Sequence, residues 1–462
     1  MKIVVVGAGF VGLVTGACFA GHGHDVICVE TNPTRLSMVQ RGEPPFFEPG
    51  LPELLTAGLA SGKFAIADRI DNTVDDCDLV FIAVGTPNAD DRIDLSQIEA
   101  AARSIGAAIA RSKRYTVVVV KSTVVPGTTA GPIRKALEES SGLIAGKDFG
   151  LCMNPEFLRQ GVAVDDFMHS DRLVLGAIDA RSGAALMQAY ATFDCPKLQT
   201  TLQNAEMSKY TSNVLLATLI SFSNEIASIC EQMPQTDVEF VMDALSLDRR
   251  LSPIVDGKRV SPEILGYLRA GSGFGGSCLP KDISALRQTA RDHDIAPRLM
   301  DAVIAVNAGR PAKLLDIVQQ GIGDLSGRKV ALLGLTFKSG TDDLRDSPAL
   351  SILKLLLDAG SSVVAFDPLV DPKARLGIDA RAEVAATALD ALNGADVAVI
   401  ATAWPEFATL DWGTIAQAMK SPVVIDGRNL LRKTAMPDSM KYYRVGRFGE
   451  AGAASINEQA GS

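Results

Sequence analysis

The first thirty residues constrain the fold more than any other stretch. Lys2-Ile3-Val4-Val5-Val6 is a β-branched run, and Gly7-Ala8-Gly9-Phe10-Val11-Gly12 follows it at once. A strand that breaks at GxGxxG and continues as an apolar helix, here residues 13–20, opens a dinucleotide-binding βαβ unit. Glycine lets the backbone come close to a pyrophosphate, which would rest on the helix N-terminus. The helix stops at Gly21-His22-Gly23-His24, and residues 25–30 read as a second strand ending in Glu30. An acid there hydrogen-bonds ribose hydroxyls and repels a 2′-phosphate, so NAD rather than NADP is the cofactor expected.

More strands follow with polar residues at their carboxyl ends. Residues 78–84 lead to Gly85-Thr86-Pro87, residues 115–120 to Lys121-Ser122-Thr123-Val124, and residues 149–153 to Asn154-Pro155-Glu156-Phe157. In a doubly wound sheet these ends line the ligand crevice, so Thr86, Thr123 and Glu156 are placed at one site. Residues 172–176 read as a further strand. The second α/β set starts at residues 329–338, with a strand ending in Gly334, and continues through a helix at 347–359, a strand at 362–367 ending in Asp367, a strand at 395–401 and one at 423–426. It echoes the first set but lacks GxGxxG, so no second dinucleotide is expected there. Lys338, Arg345 and Arg428 follow strand ends, where a basic rim suits a diphosphate.

The middle of the chain is helical. Residues 204–233 hold no proline or glycine, and Leu216, Leu219, Ile220, Ile226 and Ile229 recur at helical spacing. A helix of that length, about 45 Å, suits a spine or a dimer seam. Lys209 and Asn213 stand four apart, so both project from one face. A cation and an amide stacked in this way suit a developing oxyanion. Residues 252–263 read as a polar surface loop with an Asp256-Gly257 turn. Then comes Gly271-Ser272-Gly273-Phe274-Gly275-Gly276-Ser277-Cys278-Leu279-Pro280-Lys281-Asp282, with four glycines in twelve positions. Pro280 suits a helix start, and residues 282–293 read as that helix. Cys278 then precedes a helix N-terminus beside Lys281, and both features favour the nucleophilic thiolate.

The fold expected is α/β: two Rossmann-like doubly wound domains joined by a central helical domain with a long spine helix. The boundaries are 1–200 for the NAD-binding domain, 201–322 for the central domain with the cysteine loop, and 323–447 for the third, with a disordered tail at 448–462. The net charge of -9 excludes nucleic acid and acidic membranes as main partners. Seven cysteines without regular spacing and four histidines give no metal site and point to free thiols in a reducing cytoplasm. Met1-Lys2 runs straight into a strand, so no signal peptide is expected. No apolar run approaches the roughly 20 residues that span a bilayer.

The GxGxxG strand-turn, Gly85-Thr86-Pro87, Lys121-Ser122-Thr123-Val124, Asn154-Pro155-Glu156-Phe157-Leu158, the Glu206 to Asn213 segment, the cysteine loop, residues 334–338, Thr341-Asp342-Asp343-Leu344-Arg345 and Asp426-Gly427-Arg428-Asn429 occur in this order. In that order they resemble the UDP-glucose/GDP-mannose dehydrogenase family over nearly the whole chain. The resemblance implies a four-electron oxidation of the 6-hydroxymethyl group of a nucleotide sugar, with two NAD+ reduced per turnover. Cys278 would carry a thiohemiacetal and then a thioester, which water hydrolyses to the uronic acid. Lys209 and Asn213 would stabilise the oxyanions. Asp282 would hold Lys209 or a water, Thr123 would position a water or hydroxyl near the nicotinamide, and Glu156 would be the base for hydrolysis or a substrate anchor. Gly7, Gly9, Phe10, Val11, Gly12, Glu30, Arg35, Thr86, Thr123, Lys281 and Arg345 would contact NAD. Phe157, Leu158, Tyr267, Gly271, Gly275, Lys338 and Arg428 would surround the nucleotide sugar, and Arg250 resembles an arginine lent across a homodimer.

Three departures stand out. Gln160 replaces a second glutamate, and Ala403 replaces the glutamate of a Thr-Glu-Trp motif. The chain between Arg250 and Tyr267 is also about a dozen residues longer than the family pattern, which leaves Arg259 as the alternative match. UDP-glucose is the substrate expected, with GDP-mannose the nearest rival. A non-catalytic NAD-binding scaffold is the reading from a different class.

Overall fold

The computed structural model describes residues 1–89, 91–112, 114–373 and 377–450. Residues 451–462, most of the tail expected to be disordered, lie outside them. The chain forms two compact units: Met1–Ser212 with Gln288–His293, and Asn213–Arg287 with Asp294 onward.

The first unit runs β1 (Lys2–Val6), α1 (Phe10–Gly21), β2 (Asp25–Val29), α2 (Pro33–Gln40), α3 (Leu51–Ser61), β3 (Phe64–Ala67) and β4 (Leu79–Ile82). A small hairpin, β5 (Asn88–Ala89) and β6 (Arg92–Ile93), leads to α4 (Ser96–Ile109), β7 (Val117–Val120), α5 (Arg134–Ser141) and β8 (Gly150–Met153). Then come α6 (Ala163–Met168), β9 (Leu173–Ala177), α7 (Ala180–Ala189), β10 (Lys197–Thr200) and the start of α8 (Leu202–Cys230).

Eight strands make one sheet in the order β10-β9-β8-β7-β4-β1-β2-β3. Its central strands are apolar along their whole length because helices cover both faces. Alternate residues of one strand feed opposite cores. Val117 and Val119 pack with Ile3, Val5 and α1, while Val118 and Val120 pack with Val4, Val80 and α4. Strands β3, β2, β1, β4, β7 and β8 are parallel, but β9 runs antiparallel to β8, with Met153 opposite Gly176. The connection from β8 to β9 holds only the short α6 and does not build a crossover layer, which an antiparallel neighbour does not need.

The second unit takes α8 from Asn213, then α9 (Val238–Ser246), β11 (Ile254–Val255), β12 (Lys258–Arg259), α10 (Leu279–Asp292) and α11 (Arg298–Ile322). Its sheet unit runs β13 (Lys329–Leu333), α12 (Pro348–Asp358), β14 (Ser362–Phe366), β15 (Glu383–Val384), α13 (Ala388–Leu392), β16 (Val397–Ile400), α14 (Pro405–Ala408), α15 (Trp412–Ala418), β17 (Val423–Asp426) and β18 (Lys441–Arg444). The sheet order is β15-β14-β13-β16-β17-β18, all parallel. The first strand lies inside, with its next two on one side and the later three on the other. This repeats the arrangement of β1, β2, β3, β4, β7 and β8, so the internal echo read in the sequence is structural.

Helix α8 has 29 residues. By length and composition it could cross a membrane, contrary to the sequence expectation, and is the one such helix among the described residues. Its buried Glu206, Lys209, Asn213 and Asn224 all find partners inside the fold, which is the pattern of a core helix. The extra segment 252–263, expected as a loop, contains a tight hairpin. Asp256 and Gly257 both take positive φ (51° and 75°), as a two-residue turn matched to strand twist requires.

Candidate active site

The cofactor cradle lies in the first unit, at the end of β1. A Cβ on Gly12 would sit 1.8 Å from the Gly7 carbonyl oxygen, and one on Gly7 (φ 99°) would sit 2.7 Å from that of Ala83. Only glycine permits this closeness. Gly9 precedes α1 without a side-chain cap. The first amides of α1 are therefore left for an anion, a fit for a pyrophosphate. Glu30 is buried just past β2, one carboxylate oxygen accepting from the Asn32 amide at 2.8 Å. Arg35 lies exposed in the first turn of α2. Thr86 and Thr123, placed at one site from sequence, do meet: the Thr86 hydroxyl donates to the Thr123 carbonyl at 2.9 Å.

Beside these strand ends lies a buried ion pair. Lys209 Nζ stands 2.9 Å from Glu156 Oε1, with side chains 5% and 6% exposed. Burial alone would raise the Glu156 pKa. The Lys209 ammonium, the Leu158 amide (2.7 Å) and the charge of Lys121 outweigh it, so the pKa is lowered and Glu156 is a carboxylate. Phe157 is stacked under the Arg172 guanidinium, 4.1 Å from the ring centroid. Leu158 is half-buried against the first core.

In the second unit Cys278 sits immediately before α10, and its carbonyl accepts the Asp282 amide at 2.9 Å. This is the helix-start position expected, although α10 begins three residues earlier than the sequence reading. All seven cysteines are free, and Cys278 alone is exposed. Burial pushes the Cys18 and Cys77 thiols up to about 12, and those of Cys28 and Cys152 higher still. Asp282 is 1% exposed and accepts from Asn213 Nδ2 at 2.6 Å and from the Lys281 ammonium.

The glycine loop before Cys278 is pressed against its neighbours. A Cβ on Gly275 would meet the Asp346 carbonyl oxygen at 2.1 Å, and the Gly276 amide donates to the Arg345 carbonyl at 2.9 Å. Arg428 Nη1 donates to Ser272 Oγ and to the Gly273 carbonyl, both at 3.3 Å, and burial lowers its pKa. Gly271 packs on Arg428 and donates its amide to Asn224 Oδ1 at 2.8 Å. Tyr267 ends a single 3-10 turn, Glu263–Tyr267. Lys338 Nζ lies 6.0 Å from the Phe337 ring centroid, and Arg345 pairs with Asp343 at 2.7 Å. Arg250 is paired only to nearby Asp248 and its side chain is 88% exposed. Arg259 instead donates to the carbonyls of Leu247 and Ser252, both at 2.9 Å, and fastens the hairpin. Both arginines are exposed, and they differ in that Arg259 is tied to the backbone of the segment while Arg250 is paired with a neighbouring aspartate.

Several buried polar residues that hold the site were not singled out from sequence. Glu206 accepts the amides of Gly127 (2.6 Å) and Thr129 (2.7 Å), fixing the loop after Thr123. Glu48 accepts those of Gly161 and Ala163, both at 2.7 Å, and so puts a carboxylate beside Gln160. Arg310, 1% exposed, donates to the Gly271 carbonyl (3.0 Å), Ser228 Oγ (3.0 Å) and Glu231 Oε1 (3.3 Å). Its partners Asn224, Ser228 and Glu231 recur at i, i+4 and i+7, a polar stripe along the apolar helix that could have been noticed. Asp367 follows β14 as Glu30 follows β2. One oxygen of its carboxylate accepts from the amides of Leu335 (2.8 Å) and Thr336 (3.0 Å), the Thr336 hydroxyl (3.0 Å) and the Trp404 indole (3.0 Å). Ala403 adjoins that indole, so the departure at 403 leaves this contact in place.

Three family descriptions match the chain in succession: the NAD binding domain of the UDP-glucose/GDP-mannose dehydrogenase family at residues 1–194, its central domain at 203–309 and its UDP binding domain at 331–433. The chain belongs to the UDP-glucose/GDP-mannose dehydrogenase family. Members of this family are NAD-dependent oxidoreductases, and the NAD binding domain of this one, residues 1–194, contains the cradle at Gly7, Gly9 and Gly12. The chain is 40% identical to a UDP-glucose 6-dehydrogenase of Rhizobium meliloti, covering 97% of this chain and 100% of that one. It is 40% identical to the UDP-glucose 6-dehydrogenase AglM of Haloferax volcanii, covering 94% and 98%. The solved UDP-glucose dehydrogenase of Pyrobaculum islandicum superposes with a TM-score of 0.87 at 36% identity, covering 97% of this chain and 98% of that one.

Proposed function

We propose that the chain oxidises the 6-hydroxymethyl group of UDP-glucose to the carboxylate through a covalent adduct on Cys278. The observation that carries this reading is the exposed thiol at the start of α10, on a glycine loop braced by Arg428. The names of the relatives in Rhizobium meliloti, Haloferax volcanii and Pyrobaculum islandicum support the choice of sugar. Bound NAD+ supplies the hydride acceptor for both oxidations. The Glu156 carboxylate anchors the substrate or serves as the base that takes the proton of the hydrolytic water. The Cys278 thiolate adds to the aldehyde carbon, and after the second hydride leaves, the acyl group stays on sulfur as a thioester. Water cleaves the carbon–sulfur bond, releasing the carboxylate and restoring the thiolate. The Lys209 ammonium and the Asn213 amide stabilise oxyanions along this path. Thr123 positions a hydroxyl or water, and Asp282 keeps Asn213 and Lys281 in place. Gly271, Gly275, Tyr267, Lys338 and Arg428 hold the UDP-sugar, and the functional division is 1–200, 201–322 and 323–447.

Absorbance of NADH decides the substrate. Two NADH per UDP-glucose, with a much lower rate from GDP-mannose, is the expected result. Preferred turnover of GDP-mannose would reassign the sugar, and no turnover of any nucleotide sugar by protein that binds NAD would favour the scaffold.

A second copy of the chain is the partner proposed. Leu215, Phe222 and Ile229 on α8 are 48%, 45% and 50% exposed and recur every seven residues, the period of a helix-to-helix seam. Phe240 and Met233 extend this exposed apolar surface at 72% and 50%. Sedimentation should report a dimer or a larger assembly of this chain, and Phe222→Asp should shift it to monomer. A native chain that sediments as a monomer at micromolar concentration would sink this partner.

A further inference from the structure

Lys121 directly follows β7 and is 3% exposed, yet among the described residues its hydrogen-bond partners are an amide and a phenol rather than a carboxylate. Its Nζ lies 2.9 Å from Asn154 Oδ1, 3.5 Å from the Tyr190 hydroxyl and 5.8 Å from the Phe167 ring centroid. Asn154 is held on every side. Its Oδ1 also accepts from the Tyr190 hydroxyl at 2.5 Å, its Nδ2 donates to the Val174 carbonyl at 3.0 Å, and its backbone amide donates to Val120 at 2.9 Å. Two residues on, across Pro155, stands Glu156 with its Lys209 partner. A buried amine whose bonded partners are an amide and a phenol carries a large desolvation cost, and an apolar side chain of similar length would fill the space without it.

We propose that Lys121 is a positioning residue for the Glu156–Lys209 pair: it fixes the Asn154-Pro155-Glu156 turn and places a second, titratable charge beside the pair. The inference rests on the reading that Glu156 and Lys209 take part in the reaction. The groups that face Lys121 are Glu156 from the turn after β8, Lys209 from α8 and the Tyr190 phenol from the end of α7. Burial pushes the Lys121 pKa down to about 7. The Glu156 carboxylate pulls it back up, and the Lys209 ammonium adds to the fall. Burial moves the Tyr190 phenol the other way, so it keeps its proton. Charged, Lys121 favours the Glu156 carboxylate and opposes the Lys209 ammonium. Neutral, it does neither, so the reactivity of the pair changes near pH 7.

The test pairs kinetics with a titration that needs no turnover. In protein with ¹³C-labelled lysine side chains, one signal, absent from Lys121→Met, should titrate near pH 7. Its midpoint should fall in Glu156→Gln and rise in Lys209→Met, since the first removes an attraction and the second a repulsion. Lys121→Met should lower kcat by about tenfold to a hundredfold with KM for NAD+ within about threefold, and the inflection near pH 7 should vanish. Lys121→Arg should recover much of kcat without the inflection, because a guanidinium keeps its charge. Stability gives a further readout. An unfolded lysine holds its proton to 10.5 and folded Lys121 only to about 7, so native stability should rise with pH across that window and the Lys121→Met protein should lack that rise. A lysine signal that titrates only near 10.5, or a Lys121→Met protein with the native kcat and pH profile, would overturn the proposal. Native turnover in Glu156→Gln would instead remove the catalytic reading of the pair, while the shift of the lysine midpoint would still report the coupling.

Discussion

Cys278→Ser should reduce uronate release by at least about a thousandfold while UDP-glucose binds within about threefold of native. The loss follows from the chemistry of the nucleophile. A thiol gives up its proton far more readily than a serine hydroxyl, and the thiolate is the stronger nucleophile towards an aldehyde. Burial keeps Cys18, Cys28, Cys77 and Cys152 from substituting, since each thiol is pushed towards its protonated form. The binding half of the prediction follows from the loop, which is held by Arg428, Asn224 and Arg310 rather than by the sulfur. Calorimetry with UDP-glucose and quantification of uronate test the two halves separately. Uronate release at the native rate would show that no covalent sulfur adduct is needed.

Arg310→Met should cost about 3–5 kcal/mol of stability, read as a fall in the denaturant midpoint. The guanidinium is buried, and removing it leaves the Glu231 carboxylate inside the fold with the Gly446 amide (3.0 Å) as its remaining hydrogen-bond donor among the described residues. An unpaired buried carboxylate is costly, whereas an exposed pair such as Lys354–Asp358 contributes little. The same change removes the donor to the Gly271 carbonyl, so KM for the nucleotide sugar should rise as well. A loss of under about 1 kcal/mol would mean that water or a neighbouring group satisfies Glu231.

The edge strands β3, β10, β15 and β18, short or carrying polar residues, were not read, but the central strands of both sheets were readable because burial on both faces dictates their residues. The GxGxxG turn gave the cradle for the same reason: Gly12 can be nothing else where a Cβ would lie 1.8 Å from a carbonyl. The direction of β9 was not readable, because a strand pattern carries no sign of its orientation. The pairings within the site were only partly readable. Thr86 and Thr123 were placed together from the strand-end rule, and they share a hydrogen bond. The partners of Glu156 and Asp282 depend on where α8 docks, which local pattern does not encode. Lys121 looked like any polar residue at a strand end, and only packing reveals an amine without a bonded carboxylate. Arg250 and Arg259 are equivalent in sequence; the hairpin separates them by occupying one.

The carboxylate of Asp367 has a consequence for timing. Four donors from its own unit already hold one of its oxygens, at the place where Glu30 is left for a ribose. Among the described residues there is thus one dinucleotide cradle, for a proposed reaction that needs two equivalents of oxidant. The first reduced cofactor must depart and a fresh one arrive while the half-oxidised sugar waits. On the function proposed above, the residence time of that sugar, on Cys278 and against Arg428, has to exceed the time of one exchange. Enzyme supplied with scarce NAD+ would stall with its sugar held rather than lose an aldehyde.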